Sequence, residues 1–142
     1  MGNRKSIYLL GALKNREIMA LGERLRAEGF DVFDEWLSPG PDADAFLLEY
    51  AKFRNLTYKE ALNTYAAKQV FEFDKSHIDR CDIGIMVMPC GKSGHLELGY
   101  MIGCGKPGYI LFDQEPDRMD VMYQFATDIF FDVEELIVEL KK

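Results

Sequence analysis

A single carboxylate, Glu97, follows a glycine-rich turn in a setting suited to chemistry on a small molecule. The turn contains Gly91 and Gly94, and Gly99 comes two residues after the carboxylate. Glycines leave no side chain in the way, so backbone N–H groups can approach the oxygen atoms of a ligand. An accessible carboxylate can attack an electrophilic sugar carbon, as in retaining glycoside hydrolases. We therefore predict that Glu97, in the first turn of a helix, is a nucleophile; a solvated glutamate that complements the helix dipole is the alternative.

Asp74 is the best candidate for a proton donor. Its neighbours Phe73 and Ile78 are apolar, and burial keeps a carboxyl group protonated to higher pH. Such a group can donate its proton to a departing base. The pattern fits equally well with an ion pair between Asp74 and a lysine such as Lys75 on a solvated face.

Several residues near the predicted strand ends could contact a substrate. The hydroxyl group of Tyr8 could orient a carboxylate, although a core tyrosine is the alternative. Ser93 fits a helix N-cap, with a phosphate or sugar contact as the sharper alternative, and His95 could act as a second acid or base. The predicted substrate-binding residues are Gly11, Ala12, Gly91, Ser93, Gly94 and His95.

Other site classes have little support. The two histidines, His77 and His95, lack ligand spacing, and the three cysteines lack CxxC spacing. The proposed chemistry needs no metal or redox cofactor, and the odd cysteine count favours a reducing, cytoplasmic setting. No dinucleotide fingerprint or P-loop is present. Lys14 and Arg16 could hold a 5′-phosphate or could simply be solvated.

The length and the net charge of the chain limit the classes of molecule that it can bind. The chain has 142 residues and a net charge of −7, so no overall basic field would hold a nucleic acid polymer. The apolar run that ends at Gly11 is far too short to span a bilayer, and nothing points to a membrane. A small phosphate could still be held locally.

Strand-like and helix-like segments alternate along the chain. This order predicts an α/β fold, a three-layer doubly wound (flavodoxin/Rossmann-like) single domain with about five parallel strands. The predicted strands cover 7–10, 30–33, 83–88, 109–112 and 128–131. The first predicted helix follows 11–12 and ends at Gly29. The next covers 70–80, another begins near Ser93, and the last two cover 119–125 and 133–140.

A helical insertion is predicted at about 38–68. It is rich in Ala, Leu, Tyr, Lys and Glu and should form two helices broken near 54–57. Thr57 followed by Glu60 has the spacing of a capping box. The insertion could cover a pocket as a lid or build an oligomer.

Taken together, these segments resemble the nucleoside 2-deoxyribosyltransferase family. The resemblance implies Glu97 as the nucleophile at the anomeric carbon, Asp74 as the acid and base at the nucleobase, and Tyr8 as the residue that positions the glutamate. It also implies a small-molecule nucleoside or nucleotide as the partner, and a homo-oligomer in which a neighbouring subunit completes each pocket. The segments that carry it are Ile7 to Ala12, Phe73-Asp74 with Ile78, Cys81-Asp82, Ser93 to Tyr100 and Gly105-Lys106-Pro107.

The resemblance leaves alternatives open. Transfer of the base and hydrolysis differ only in what enters the pocket. Related 2′-deoxynucleoside 5′-monophosphate N-glycosidases carry a serine near the glutamate, to which Ser93 is similar. Gly91 stands where the transferases often have a second aspartate, which motivates a catalytically silent nucleotide-binding module. A glutamate-dependent NAD glycohydrolase is a weaker option.

Overall fold

We describe the protein from a computed structural model that covers residues 4–12, 15–37 and 43–142. The chain divides into two compact units, Met1–Asp34 with Ile78–Lys142, and Glu35–His77. The first unit contains the sheet. The second contains most of the predicted insertion, of which residues 38–42 lie outside the described ranges.

The first unit is built on a five-stranded parallel sheet in the order β2-β1-β3-β4-β5. This is the flavodoxin-like order, and it confirms the predicted fold class and strand number. Each strand is a short, mostly apolar run, as expected where helices cover both faces. The strands are β1 Ser6–Leu10, β2 Asp31–Phe33, β3 Ile83–Val87, β4 Gly108–Leu111 and β5 Asp128–Phe130.

Helices cover both faces of the sheet. The helices of both units, in the described part of the chain, are α1 Glu17–Ala27, α2 Ala43–Phe53, α3 Tyr58–Leu62, α4 Tyr65–Arg80, α5 Lys92–Gly103 and α6 Val133–Leu140; α1, α5 and α6 belong wholly to the unit that contains the sheet. Right-handed crossovers place α1 and α5 on opposite faces, because β1 leads to a strand on one side and β3 to a strand on the other. Helix α6 joins α1 through Arg24 Nη1 and Glu134 Oε1, 2.7 Å apart.

Two glycine turns close the helices that flank the candidate site. Gly29, after α1, has a φ of +98°, and Gly105, after α5, has a φ of +88°; this left-handed region favours glycine. Next to Gly105, the Lys106 ammonium donates to the carbonyl oxygens of Ile78 at 2.9 Å and Asp79 at 2.7 Å. The Gly105-Lys106 pair thus ends α5 and caps the last turn of α4.

The second unit has two described helices before α4. Thr57 and Glu60 form the predicted capping box: Thr57 N–H donates to Glu60 at 2.9 Å, and Glu60 N–H donates to the Thr57 hydroxyl at 3.1 Å. The predicted break at 54–57 is confirmed, with Asn55 at a φ of 56°. Among the described residues of this unit, Ala51 alone is fully buried.

Two helical predictions differ from the structure. Helix α4 begins at Tyr65, five residues before the expected start at Val70, because 65–69 carry good helix formers without an apolar period. The helix expected over 119–125 is a single 3-10 turn, Val121–Phe125.

Candidate active site at the β1/β3 switch point

The candidate site lies where the sheet changes winding direction. Strands β1 and β3 are neighbours, and after them the chain crosses to opposite faces and opposite edges of the sheet. In doubly wound sheets, ligands bind in the crevice outside the carboxyl ends of such strands. The turn after β1 and the loop between β3 and α5 form this crevice.

Gly11 makes the turn after β1 fit tightly against β3. A Cβ atom at this position would lie 2.3 Å from Ile18 Cδ1 and 3.2 Å from the Val87 carbonyl oxygen. Close packing around Gly11 is therefore an alternative explanation for glycine at this position, beside the predicted role in substrate binding. Ala12 lies next to it and is half-buried. Lys14 lies outside the described residues, and Arg16 is the exposed N-cap residue of α1.

Tyr8 is buried in β1 on the face that carries α5. It pairs with Gly84 of β3, and a Cβ atom on Gly84 would meet Met101 Sδ of α5 at 2.8 Å. The Tyr8 ring stacks on Phe33 of β2, with centroids 5.3 Å apart. Strand pairing and ring stacking therefore hold Tyr8 beneath α5, the helix that carries Glu97.

The start of α5 differs in detail from the sequence prediction. Gly91, not Ser93, is the N-cap residue, and it makes no side-chain capping bond. Ser93 is the second residue of the helix and is exposed, so its predicted capping role is wrong. The prediction that Glu97 lies in the first turn is also wrong, because the helix starts earlier: Glu97 is its sixth residue and is half-buried.

The half-buried thiol of Cys90, in the loop after β3, is influenced by the charge of Glu97. A Cβ atom on Gly94 would lie 2.0 Å from Cys90 Sγ, so a larger residue at this position would force the thiol to move. Burial, and then the charge of Glu97, raise the pKa of Cys90 to about 11. Cys90 is therefore a neutral packing group at neutral pH, and the Glu97 carboxylate is close enough to it to act electrostatically.

Asp74 lies in the second unit, in the middle of α4. Its Oδ1 atom is buried and has no hydrogen-bond partner among the described residues. Burial, and then the charge of Asp44, raise the pKa of Asp74 to about 6. This environment supports the sequence argument for a carboxyl group that keeps its proton to higher pH, and no ion pair between Asp74 and a lysine is recorded in the described part of the chain.

His95 points away from Glu97. Two residues along a helix correspond to about 200° of rotation, so the two side chains lie on opposite flanks of α5. His95 Nδ1 lies 2.8 Å from the Gly91 carbonyl oxygen, and Nε2 lies 2.9 Å from the Tyr123 hydroxyl. The structure thus places His95 beside Tyr123 rather than beside the predicted nucleophile.

Solved structures of other proteins match the fold of this chain over most of its length. No sequence-family profile and no curated protein matches this chain. A 2-deoxyribosyltransferase from Bacillus psychrosaccharolyticus matches with a TM-score of 0.65 and 19% identity, over 93% of this chain and 90% of that one. A CMP N-glycosidase from Clostridium botulinum matches with a TM-score of 0.56 and 18% identity, over 97% and 100%. A conserved protein from Enterococcus faecalis matches with a TM-score of 0.66 and 14% identity, over 98% of each chain.

This chain has the fold of a 2-deoxyribosyltransferase. The resemblance to the nucleoside 2-deoxyribosyltransferase family, first drawn from short segments, therefore extends over nearly the whole chain. Of the predicted site residues, Gly11 directly follows β1 and Glu97 lies on α5, the helix that follows β3, whereas Tyr8 lies within β1.

The described residues add two negative findings. They contain no group of three or more His, Cys, Asp or Glu side chains placed to hold a metal ion. Among them, no helix is long and apolar enough to cross a membrane.

Sequence reasoning missed two residues around the start of α5. Cys90 carried no motif, since its only signal was the glycine four residues later. Tyr123 pairs with His95 from 28 residues away, so no local pattern could have linked them.

Proposed function

We propose that this protein cleaves or exchanges the base of a (deoxy)nucleoside through a covalent glycosyl-glutamate intermediate. A Glu97 oxygen forms a bond to the anomeric carbon while the bond from that carbon to the base nitrogen breaks. The bonding electrons leave with the base, which takes a proton from Asp74. A second base or water then attacks the same carbon, gives its proton to the Asp74 carboxylate and releases the Glu97 carboxylate.

The position of Glu97 carries this proposal. A half-buried carboxylate follows a glycine-rich loop on the helix that leaves the switch point, where this fold class binds ligands. The two enzymes named among the fold relatives, a 2-deoxyribosyltransferase and a CMP N-glycosidase, both act on N-glycosidic bonds. Tyr8, held beneath the same helix, is the group we assign to position the glutamate.

Asp74 fits the role of general acid by its chemistry. A pKa of about 6 leaves a fraction of the carboxyl groups protonated near neutral pH, and a group that titrates near the working pH is an efficient proton donor. We expect Asp74→Asn to lower kcat by about 10² to 10⁴-fold. The loss should be smaller for a substrate whose base leaves readily without protonation.

The test is chromatography of the purified protein with deoxyadenosine, deoxycytidine and their 5′-monophosphates, each with and without a second free base. A new nucleoside that forms only with the acceptor base would support transfer. Glu97→Gln should lower base release by roughly a thousand-fold or more. The matched control is Glu115→Gln, which makes the same change at an exposed loop residue and should keep wild-type activity.

A nucleoside 5′-monophosphate N-glycosidase is the second candidate. Gly91 caps α5 without a side-chain bond, and a Cβ atom there would have no neighbour within 4 Å. The exposed Ser93 hydroxyl lies in the same first turn, and helix N-termini favour anions. Free base from the monophosphates alone, with an increased KM in Ser93→Ala, would support this reading over transfer.

We also propose that the protein is a cytoplasmic homo-oligomer. Both units expose large apolar side chains, including Phe53, Tyr65 and Met119, as surfaces used for association often do. Light scattering coupled to size-exclusion chromatography should give a mass at least twice that of one 16.3 kDa chain.

A further inference from the structure

The last turn of α4 is held by two side chains from α5 and the turn after it. The Lys106 ammonium donates to the carbonyl oxygens of Ile78 at 2.9 Å and Asp79 at 2.7 Å. Carbonyl groups in the last turn of a helix have no partner within that helix, and a positive charge there also complements the helix dipole. The Tyr100 hydroxyl, on α5, donates to Asp79 Oδ1 at 2.7 Å. Lys106 and Tyr100 thus anchor the same turn of α4.

The rest of α4 has few buried side chains to hold it. All 16 residues of the helix are described, and Ile78 alone among them is fully buried. The unit Glu35–His77 has Ala51 as its single fully buried residue in the described part, and elements with few buried contacts move readily. Arg80 adds an exposed ion pair at 3.4 Å, a weak kind of contact. The bonds from Lys106 and Tyr100 are therefore a main constraint on this helix.

A helix transmits the position of its anchored turn to the residues before that turn. Helix α4 is continuous from Tyr65 to Arg80, and Asp74 lies one turn before Ile78 on the same face. The buried Oδ1 atom of Asp74 has no hydrogen-bond partner among the described residues, so the helix, rather than a bond at this atom, sets where it lies. A general acid must be within hydrogen-bond reach of the group that it protonates, and a displacement of about 1 Å can cost about a hundredfold in rate.

We propose that Lys106 and Tyr100 are positioning residues for the proposed acid, Asp74. They act through the last turn of α4 and not on the substrate. Tyr100 lies three residues after Glu97, about one turn further along α5. The bond from Tyr100 to Asp79 therefore joins the helix of the proposed nucleophile to the helix of the proposed acid. This inference rests on the proposed function, because it takes Asp74 as the group that protonates the departing base.

The test uses two substrates that differ in their need for an acid. The first is the deoxynucleoside that the wild type cleaves fastest. The second is the same nucleoside with a methyl group on a ring nitrogen, N7 of a purine or N3 of cytosine, so that its positively charged base leaves without taking a proton. Base release is followed by chromatography and corrected for spontaneous loss. A variant in which only the acid is misplaced should lose rate on the first substrate alone.

Two variants remove the anchor in different ways. Lys106→Met removes the donor and should lower kcat on the first substrate by about tenfold, with a change of less than about twofold on the methylated one. Tyr100→Phe keeps the ring, removes the bond to Asp79 and should lower kcat on the first substrate by about threefold. In Asp74→Asn protein neither substitution should have a further effect, since the acid is already absent. Lys141→Met, at an exposed lysine after α6, is the matched control and should keep wild-type rates on both substrates.

The two substrates separate positioning from a general loss of structure. The inference is overturned if Lys106→Met and Tyr100→Phe slow both substrates equally, if both variants keep wild-type rates on both, or if their effects multiply with that of Asp74→Asn. If Lys106→Met does not fold, Tyr100→Phe decides by itself, because it removes a single oxygen atom. Failure of the wild type to release a base from any deoxynucleoside would instead overturn the proposed function, and the inference with it.

Discussion

Among the predicted site residues, Asp74 has a carboxyl group whose pKa is raised by burial. A pKa raised to about 6 means that folding favours its neutral form. The associated stabilisation is complete below the unfolded pKa, near 4, and is lost as the pH rises through about 6. Asp74→Asn should therefore raise the free energy of unfolding at pH 8, by roughly 1 kcal/mol after allowance for solvent screening of a half-buried group.

Urea unfolding of both proteins at pH 4 and pH 8 measures this effect. The advantage of the variant should be clear at pH 8 and small at pH 4. Asp44→Asn is a useful companion, since removal of the Asp44 charge should lower the pKa of Asp74. A pH-independent difference between Asp74→Asn and wild type would contradict the assigned pKa.

Gly11 is predicted to be intolerant of even one methyl group. Gly11→Ala should lower the free energy of unfolding by about 1 to 3 kcal/mol, because the new Cβ would lie 2.3 Å from Ile18 Cδ1. Gly99→Ala is the matched control: nothing lies within 4 Å of the new atom, and the helix should gain up to about 1 kcal/mol. Equal effects of the two substitutions in denaturant unfolding would show that the turn after β1 is not tightly packed.

The sequence indicates the roles of some site residues and not of others. The glycines around Glu97 made it conspicuous because they are adjacent in the chain. His95 looked like part of the same cluster, but helix geometry turns it toward Tyr123. A contact across 28 residues depends on the path of the β4–β5 connection, which residue types alone do not specify.

At the scale of elements, the capping box before α3 is a local stabiliser with a measurable effect. Thr57→Ala should remove the bond to the Glu60 amide and cost about 1 kcal/mol locally. Amide hydrogen exchange should speed up in α3, while β1 and β3 stay unchanged. Thr57→Ser keeps the hydroxyl group and should preserve protection; a loss as large as that of alanine would argue against the cap.

Helix and strand identities followed from local chemistry, whereas helix starts did not. The buried runs of β1 and β3, the closing turn at Gly29 and the Thr57 cap were all predicted. Ser93 is a common capping residue type, yet the backbone places Gly91 at the cap and starts α5 earlier. Residue type alone does not choose between two candidate caps that lie two residues apart.

At the scale of the whole molecule, the order of the strands positions the candidate site. Alternation of strands and helices predicted the parallel sheet, and the structure gives the order β2-β1-β3-β4-β5. This order brings the end of β1, with Tyr8 and Gly11, next to the loop after β3. The two segments are more than 70 residues apart in the chain, so only the topology unites them.

The two compact units should differ in local stability. The described part of Glu35–His77 has a single fully buried residue, Ala51, whereas β1 and β3 consist largely of buried side chains. Elements with few buried apolar contacts open more readily. Hydrogen exchange by mass spectrometry should show lower protection in α2 and α3 than in β1 and β3. Equal protection would contradict this division.

The most direct test of Glu97 as a glycosyl-accepting nucleophile is intact-protein mass spectrometry with a nucleoside whose sugar carries fluorine at C2′. The fluorine destabilises the positively charged transition state and slows release of the intermediate. We predict a mass increase of one fluorinated sugar, located by peptide mapping on the segment that contains Glu97 and absent in Glu97→Gln. Base release by the wild type without any adduct, and unchanged in Glu97→Gln, would contradict the account.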